Sequence, residues 1–373
     1  MRVVLLGKYY HPYMGGIESH LRVITSELKQ ELDIEVVVSN TGRRTVHDVV
    51  DGVPVTRVAS FGKVASVALT PTLPLELSRR DYDVMHVHLP NPGGVASYLA
   101  SMKPRHHRLV ISYHADVYRQ RVLVNLYQPF LERALARADV VIATSPQLLE
   151  NSPVLTRYRE KCRIVPYGID LERFSKAEEH AQEAARIRAR YGGGPLLLGV
   201  GRLIYYKGYD IAIRAMREVP NARLLIVGDG PLRADLEALA REQGVADRVI
   251  LVGEVLNERV TPYYLASDVY LLPSIARSEA FGIVQIEAMA CGVPVINTHI
   301  PSGVPFVSLH EQTGLTVPIG DATALAAAIN RLLGDPELRR RMGEAGRRRA
   351  SEHFSKAVLR ERLLAAYQGR DPV

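Results

Sequence analysis

Two glutamates seven residues apart draw attention first, in Ser278-Glu279-Ala280-Phe281-Gly282-Ile283-Val284-Gln285-Ile286-Glu287. An apolar run ending at Leu272-Pro273 precedes them, and a helical apolar pattern follows. Glu279 then lies just ahead of a helix and Glu287 inside it, both facing one crevice if the helix begins near Phe281. The amides of Phe281, Gly282 and Ile283 would be helix-start donors, suited to phosphate or sugar hydroxyls. A second segment, Gly199-Val200-Gly201-Arg202-Leu203-Ile204-Tyr205-Tyr206-Lys207-Gly208, places two cations five residues apart in one glycine-bounded loop. A diphosphate leaving group gains negative charge as its bond to a sugar breaks, and fixed cations aimed at it stabilise that transition state. Arg202 alone reads as a surface cation; with Lys207 at a strand end it reads as part of an anion site.

The first half of the chain offers fewer reactive groups. Ile111-Ser112-Tyr113-His114 is a strand running into a loop, and a lone histidine there is more often structural than functional. Gly15-Gly16 would let backbone approach a phosphate and would open a helix at Ile17. His86 and His88 share one strand face, but no third metal ligand is apparent. Asp81-Tyr82-Asp83 has an acidic pair of metal-binding form, yet it precedes a strand and so lies away from the strand ends where ligands gather. Cys162 and Cys291 lack any CxxC or ligand spacing and read as buried thiols of a reducing compartment.

The elements that must hold these residues alternate. Val3–Leu6, Ile34–Val38, Tyr82–His88, Leu109–Tyr113 and Val140–Ala143 read as buried strands, with helical stretches between them. The first such helix shows Ile17, Leu21, Ile24 and Leu28 on one face. After Pro166-Tyr167-Gly168-Ile169-Asp170 the texture changes, and a charged helical stretch over 176–191 leads into a second series. Its strands are Leu196–Val200, Leu224–Val227, Val249–Val252, Val269–Leu272 and Val293–Ile296. The pattern predicts an α/β chain of two doubly wound domains facing across a cleft: 1–170 with a returning C-terminal helix at 355–373, and 171–354.

The bulk composition is consistent with this. A chain of 373 residues is long for one core, and 47% apolar with 23% charged residues is globular. The formal charge of +7 favours anionic partners, and no nucleic-acid fingerprint accompanies it. Met1–Lys8 stops its apolar run too early for a signal peptide, and no window is long enough to span a bilayer. A cytoplasmic protein, or one peripheral on the cytoplasmic face of the inner membrane, is expected.

Taken together, the paired glutamates, the GxGRL…KG loop and Gly228-Asp229-Gly230-Pro231-Leu232 resemble the family-4 glycosyltransferases of the GT-B fold. The resemblance extends to Gly15-Gly16 and to Val165–Asp170, and so covers nearly the whole chain. It implies a retaining, metal-independent enzyme that needs no cofactor beyond a nucleotide-diphosphate sugar. It implies that Arg202 and Lys207 hold the donor diphosphate, Glu279 contacts the transferred sugar, and Glu287 bonds the ribose. Backbone around Gly253-Glu254-Val255 would meet the base, His114 a sugar hydroxyl, and Gly15-Gly16 the donor phosphates. Front-face attack is the implied route, with double displacement through Glu279 its rival.

Donor and acceptor are less sharply written. Ser145-Pro146, Asn151-Ser152-Pro153-Val154-Leu155 and Pro301-Ser302-Gly303-Val304-Pro305 resemble bacterial enzymes of surface-polysaccharide assembly. That resemblance implies a mannosyltransferase using GDP-mannose and a glycan acceptor on a polyprenyl diphosphate; a UDP-hexose is the alternative donor. Lys103-Pro104-Arg105-His106-His107-Arg108 and Arg119-Gln120-Arg121 would meet an anionic membrane surface, or simply face solvent. Two other classes fit the fold. A nucleotide-sugar epimerase would need its own acid and base pair and no acceptor, whereas a non-catalytic sensor could dispense with His114 or Glu279.

Overall fold

Apolar runs become strands of two separate parallel sheets in the computed structural model, which describes residues 1–13, 15–64, 67–101, 107–115, 121–175 and 177–371. Residues 103–106 of the first basic cluster lie outside these, as do Asp116, Arg119 and Gln120. The chain divides into two compact units, Met1–Gly168 with Lys356–Val373, and Ile169–Ser355.

The first unit contains β1 (Arg2–Leu6), β2 (Asp33–Ser39), β3 (Val46–Val50), β4 (Val53–Val58) and the short pair β5 (Lys63–Val64) and β6 (Val67–Ala68). It continues with β7 (Val84–Leu89), β8 (Arg108–Tyr113), β9 (Val140–Ala143) and β10 (Cys162–Ile164). The main sheet runs β10-β9-β8-β7-β1-β2-β4-β3, parallel throughout except for the β3–β4 edge. That edge is a hairpin turned by Asp51-Gly52, whose φ values of 50° and 81° match a two-residue turn of the twist that strands prefer.

Alternate residues of the central strands face opposite layers. Val3, Leu5, Val36 and Val110 pack under the helices Gly16–Leu28 and Lys356–Gln368. Val4, Leu6, Met85 and Ile111 pack against Leu77, Tyr98 and Leu135 on the other side. The helix Lys356–Gln368 therefore supplies core to the first unit although it comes last in the chain, through Leu359, Leu363, Ala366 and Tyr367.

The second unit contains β11 (Leu196–Val200), β12 (Arg223–Val227), β13 (Val249–Gly253), β14 (Val269–Leu272), β15 (Val295–Thr298) and β16 (Gly314–Val317). Its sheet runs β13-β12-β11-β14-β15-β16 and is wholly parallel. In each sheet one strand marks a reversal of order: β1 lies between β2 and β7, and β11 between β12 and β14. Open α/β sheets bind ligands beyond the carboxyl ends of strands at such a reversal.

Among the described residues, no helix is long and apolar enough to cross a membrane. Both cysteines are free and buried, and burial pushes the Cys162 thiol up to about 11 and the Cys291 thiol up to about 12.

Candidate functional site

In the second unit, the loops at the sheet's reversal carry the charged residues singled out in the sequence. The backbone there is unusually close-packed. Gly201 N–H donates to the Val227 carbonyl (2.9 Å), Gly228 N–H to the Gly253 carbonyl (2.8 Å), and Leu203 N–H to the Asp229 carbonyl (3.0 Å). A Cβ on Gly228 would lie 2.1 Å from the Gly201 oxygen, and one on Gly208 would lie 2.0 Å from the Pro273 oxygen. These glycines thus let the ends of β11, β12 and β14 lie backbone to backbone, which fixes the loop that bears Arg202 and Lys207.

Lys207 and Glu279 meet inside this frame. The ammonium Nζ is 2.6 Å from Glu279 Oε2, and both side chains are about nine-tenths buried, at 10% and 11% exposure. Ser274 Oγ also donates to Glu279 Oε2 (3.2 Å). Arg202, by contrast, is exposed and makes no ion pair among the described residues. Glu287 accepts a 2.7 Å hydrogen bond from the Tyr264 hydroxyl. Burial raises its carboxyl above the ordinary value, while Tyr264, Arg173 and Lys207 pull it back down. Lys207 thus pairs with Glu279, whereas Glu287 is held by Tyr264.

The helix start differs from expectation. The helix runs Ile283–Ala290, with Gly282 as its N-cap at φ 73°. Gly282 is therefore the cap rather than part of the first turn, Ile283 and Val284 supply the first helical amides, and Phe281 lies ahead of the helix. Gln285 N–H already donates to the Gly282 carbonyl (2.9 Å). Phe281 is instead an anchor, with its ring 6.0 Å from that of Phe354 and 6.4 Å from that of Phe306.

Gly253 ends β13, and Glu254 and Val255 help to line a cavity of about 650 Å³ with His180, Ile187, Leu256 and Tyr263. Arg202, Lys207, Glu279 and Glu287 do not line that cavity. It is roomy enough for a nucleoside, but the charged groups that would hold a diphosphate are elsewhere.

In the first unit, His114 follows β8 and is 3% exposed. Both ring nitrogens are engaged: Nε2 is 3.0 Å from His88 Nδ1, and Nδ1 is 2.7 Å from the Tyr167 hydroxyl. Burial holds its imidazole down at about 4, so the ring is neutral at ordinary pH. His86, next to His88 along the strand face, is also saturated, with Nδ1 2.7 Å from the Tyr367 hydroxyl and Nε2 2.7 Å from Ser112 Oγ. It therefore has no free nitrogen for a metal, and among the described residues no group of three or more His, Cys, Asp or Glu could hold one. Asp83 caps β1 by accepting from the Arg2 amide (2.7 Å), at the opposite end of the strands from His114.

Gly15 and Gly16 open the helix Gly16–Leu28 after β1. Among the described residues, a Cβ on Gly16 would meet nothing within 4 Å, and one on Gly15 would meet only the carboxylate end of Glu18. Packing within the fold therefore gives no reason for glycine at either position. The sequence reading passed over His20, which sits on the apolar stripe between Ile17 and Leu21 and is 7% exposed. A polar residue at that helical spacing was the available signal.

Comparison with known proteins fixes the family. The pattern described as Glycosyltransferase Family 4 matches residues 14–173, and that described as Glycosyl transferases group 1 matches residues 181–349. An O-antigen chain mannosyltransferase C from Escherichia coli is 30% identical over 366 residues, covering 95% of each chain. The chain belongs to the family-4 glycosyltransferases. A GDP-mannose-dependent alpha-(1-6)-phosphatidylinositol monomannoside mannosyltransferase from Mycolicibacterium smegmatis is 29% identical, covering 99% of this chain and 98% of that one. Among solved structures, a sucrose-phosphate synthase from Thermosynechococcus elongatus superposes with a TM-score of 0.79 at 25% identity, over 99% and 98% of the two chains. This family-4 enzyme has the GT-B fold and is a hexosyltransferase.

Proposed function

We propose that the enzyme transfers mannose from GDP-mannose, with retention and without a metal ion, to a glycan carried on a polyprenyl diphosphate in surface-polysaccharide assembly. The observation that carries the glycosyl-transfer chemistry is the buried Lys207 ammonium, 2.6 Å from Glu279 at the reversal of the second sheet. An ammonium has three donors, so one can hold Glu279 while the others turn to diphosphate oxygens. Arg202, exposed in the same loop, supplies unpaired positive charge. As the anomeric carbon–oxygen bond breaks, these cations take up the charge that develops on the departing diphosphate.

In front-face attack, the acceptor oxygen bonds to the anomeric carbon on the side the diphosphate leaves. Its proton passes to the departing phosphate oxygen. The Lys207 contact favours a charge-positioning role for Glu279 over a nucleophilic one, because an ammonium on a carboxylate oxygen lowers its nucleophilicity. Glu287, held by Tyr264, would bond the ribose, Gly253-Glu254-Val255 would meet the base, and Gly15-Gly16 the donor phosphates. His114 would meet the transferred sugar by exchanging its Tyr167 hydroxyl partner for a sugar hydroxyl, since both of its ring nitrogens are engaged in the free protein. Mannose and GDP are supported by the names of the two relatives above, each similar over almost its whole length. The formal charge of +7 and a lipid-linked acceptor support a place on the cytoplasmic face of the inner membrane, against anionic lipid.

Thermal-shift titration with GDP, UDP, dTDP and ADP in the presence of EDTA tests the donor. Stabilisation by GDP alone is expected. A response to UDP alone would transfer the assignment to a UDP-hexose, and a response only after magnesium or manganese is added would contradict metal-free binding.

A further inference from the structure

The first unit buries four imidazoles together, and His114 is only one of them. His20, His86, His88 and His114 are 7%, 0%, 1% and 3% exposed. His88 and His114 project from adjacent parallel strands, since His88 pairs with Ser112 across β7 and β8 and His114 lies two residues further on. Their rings are nearly parallel, 15° apart with centroids at 5.3 Å, and the Tyr167 ring continues the series at 15° and 5.5 Å. His20 stands across all three, at 69° to His88, 84° to His114 and 82° to Tyr167, with centroid distances of 6.1, 5.5 and 4.6 Å. One chain of hydrogen bonds runs through the parallel rings: Tyr167 hydroxyl, His114 Nδ1, His114 Nε2, His88 Nδ1. It ends at His88 Nε2, which is buried and has no hydrogen-bond partner among the described residues.

That open end restricts the proton order. If Tyr167 donates to His114 and His114 donates to His88, His88 is left with a buried N–H pointing at no acceptor. If the order is reversed, His88 Nδ1–H donates to His114 Nε2, His114 Nδ1–H donates to Tyr167, and His88 ends in a bare lone pair. In that order the Tyr167 hydroxyl hydrogen turns to another acceptor. In either order His114 is a neutral ring held in one tautomer by the contact its Nε2 makes with His88. Neighbouring imidazoles reinforce neutrality: His20 and His88 are pushed well below the ordinary value by burial and then by the rings around them.

We propose that His88 and His20 are positioning residues for His114, His88 fixing its tautomer through the 3.0 Å nitrogen contact and His20 fixing its plane as a perpendicular wedge. The inference rests on the proposal that His114 meets the transferred sugar. It adds that the hydrogen-bonding state His114 offers is decided by groups that touch no substrate. Displacing a correctly held group by about 1 Å can cost 100-fold in rate.

Three full-length variants test it: His88→Leu, which removes the contact; His88→Asn, whose amide can replace Nδ1; and His20→Ala, which removes the wedge. For wild type, long-range ¹H–¹⁵N spectra should show His114 as a single neutral tautomer. His88→Leu should move those nitrogen shifts towards tautomer exchange and lower kcat by roughly tenfold or more. The affinity for GDP, read by calorimetry, should stay unchanged. His88→Asn should restore both shifts and kcat to near wild type, while His20→Ala should broaden the His114 resonances and lower kcat in part. Unchanged His114 nitrogen shifts in folded His88→Leu would overturn the inference, as would His88→Asn performing no better than His88→Leu. His114→Ala separates the two ideas. If it transfers sugar at the wild-type rate, the catalytic reading of His114 falls, while the nitrogen shifts of the His88 variants still decide positioning.

Discussion

Lys207 and Arg202 share one loop but carry their charge in different ways. Lys207 is buried and paired with Glu279, so removing it strands a carboxylate in a desolvated place. Breaking a buried pair by deleting one partner costs about 3–5 kcal/mol. Lys207→Ala is accordingly expected to lower the melting temperature of the free enzyme and also to abolish nucleotide binding. Arg202→Ala, at an exposed side chain without an ion pair among the described residues, should weaken nucleotide binding and leave the melting temperature alone. Thermal melts with and without nucleotide would separate the two effects. Equal destabilisation by both variants would mean that the second unit's charge is arranged for folding rather than for a ligand.

Gly16 gives the opposite signature. Because a Cβ there meets nothing within 4 Å, Gly16→Ala should keep or raise stability, by about 0.4–1 kcal/mol through the unfolded chain. It should nonetheless lower kcat/KM if a donor phosphate approaches that backbone. Full kcat/KM would remove Gly16 from the site.

At the scale of elements, the last helix of the chain contributes to the polar stripe of the first sheet. Tyr367, on Lys356–Gln368, holds His86 Nδ1 at 2.7 Å across 281 residues of sequence. Tyr367→Phe keeps the ring and deletes the hydroxyl. The loss should cost about 1–3 kcal/mol, the penalty for leaving a buried polar group unsatisfied. Chemical denaturation monitored on the first unit would read it, and no change would show that His86 finds another partner.

Strand positions were largely legible, because buried parallel strands are short apolar runs; the expected Val140–Ala143, Leu196–Val200 and Val269–Leu272 coincide with β9, β11 and β14. The β3–β4 hairpin was passed over, although Asp51-Gly52 is a strong two-residue turn signal between apolar residues. The helix expected near Phe281 begins at Ile283, since Gly282 takes a left-handed conformation that no local pattern announces. Two arginines of the helix Pro336–Phe354 do more than face solvent. Arg347 donates to the Cys291 carbonyl (3.1 Å) and Arg349 to the Val307 carbonyl (3.0 Å), so they clamp the ends of neighbouring elements.

For the whole molecule, the buried histidines link stability to pH. In the unfolded chain an imidazole titrates near its ordinary value of about 6.5, whereas in the fold burial holds His114 at about 4 and His86 at about 3. His20 and His88 are depressed as well. Groups whose folded values are lowered contribute their stability above the unfolded value. That stability is lost as pH falls from about 6.5 towards about 4, because only the unfolded state takes up protons there. Each such histidine contributes a slope of about 1.4 kcal/mol per pH unit in that window. The first unit should therefore unfold on mild acidification before the second, which buries no comparable cluster among its described residues. Limited proteolysis between pH 7.5 and 4.5 should cut the first unit first; simultaneous loss of both would show that acid acts elsewhere.

The glycine-bounded cation loop and the paired glutamates were legible as motifs because each lies within one short stretch of sequence. The histidine cluster was not, because its members come from the first helix, β7, the end of β8 and the segment at Tyr167, and only the fold brings them together.

If transfer from a diphosphate donor held by protein cations proceeds with retention, the product keeps the donor's α configuration. The most direct measurement is the anomeric configuration of the product formed from GDP-mannose in EDTA, read from its one-bond carbon–proton coupling by NMR. An α-linked mannoside, formed without added metal, is the predicted result. A β-linked product, or none until a divalent metal is restored, would contradict retention by a metal-free site.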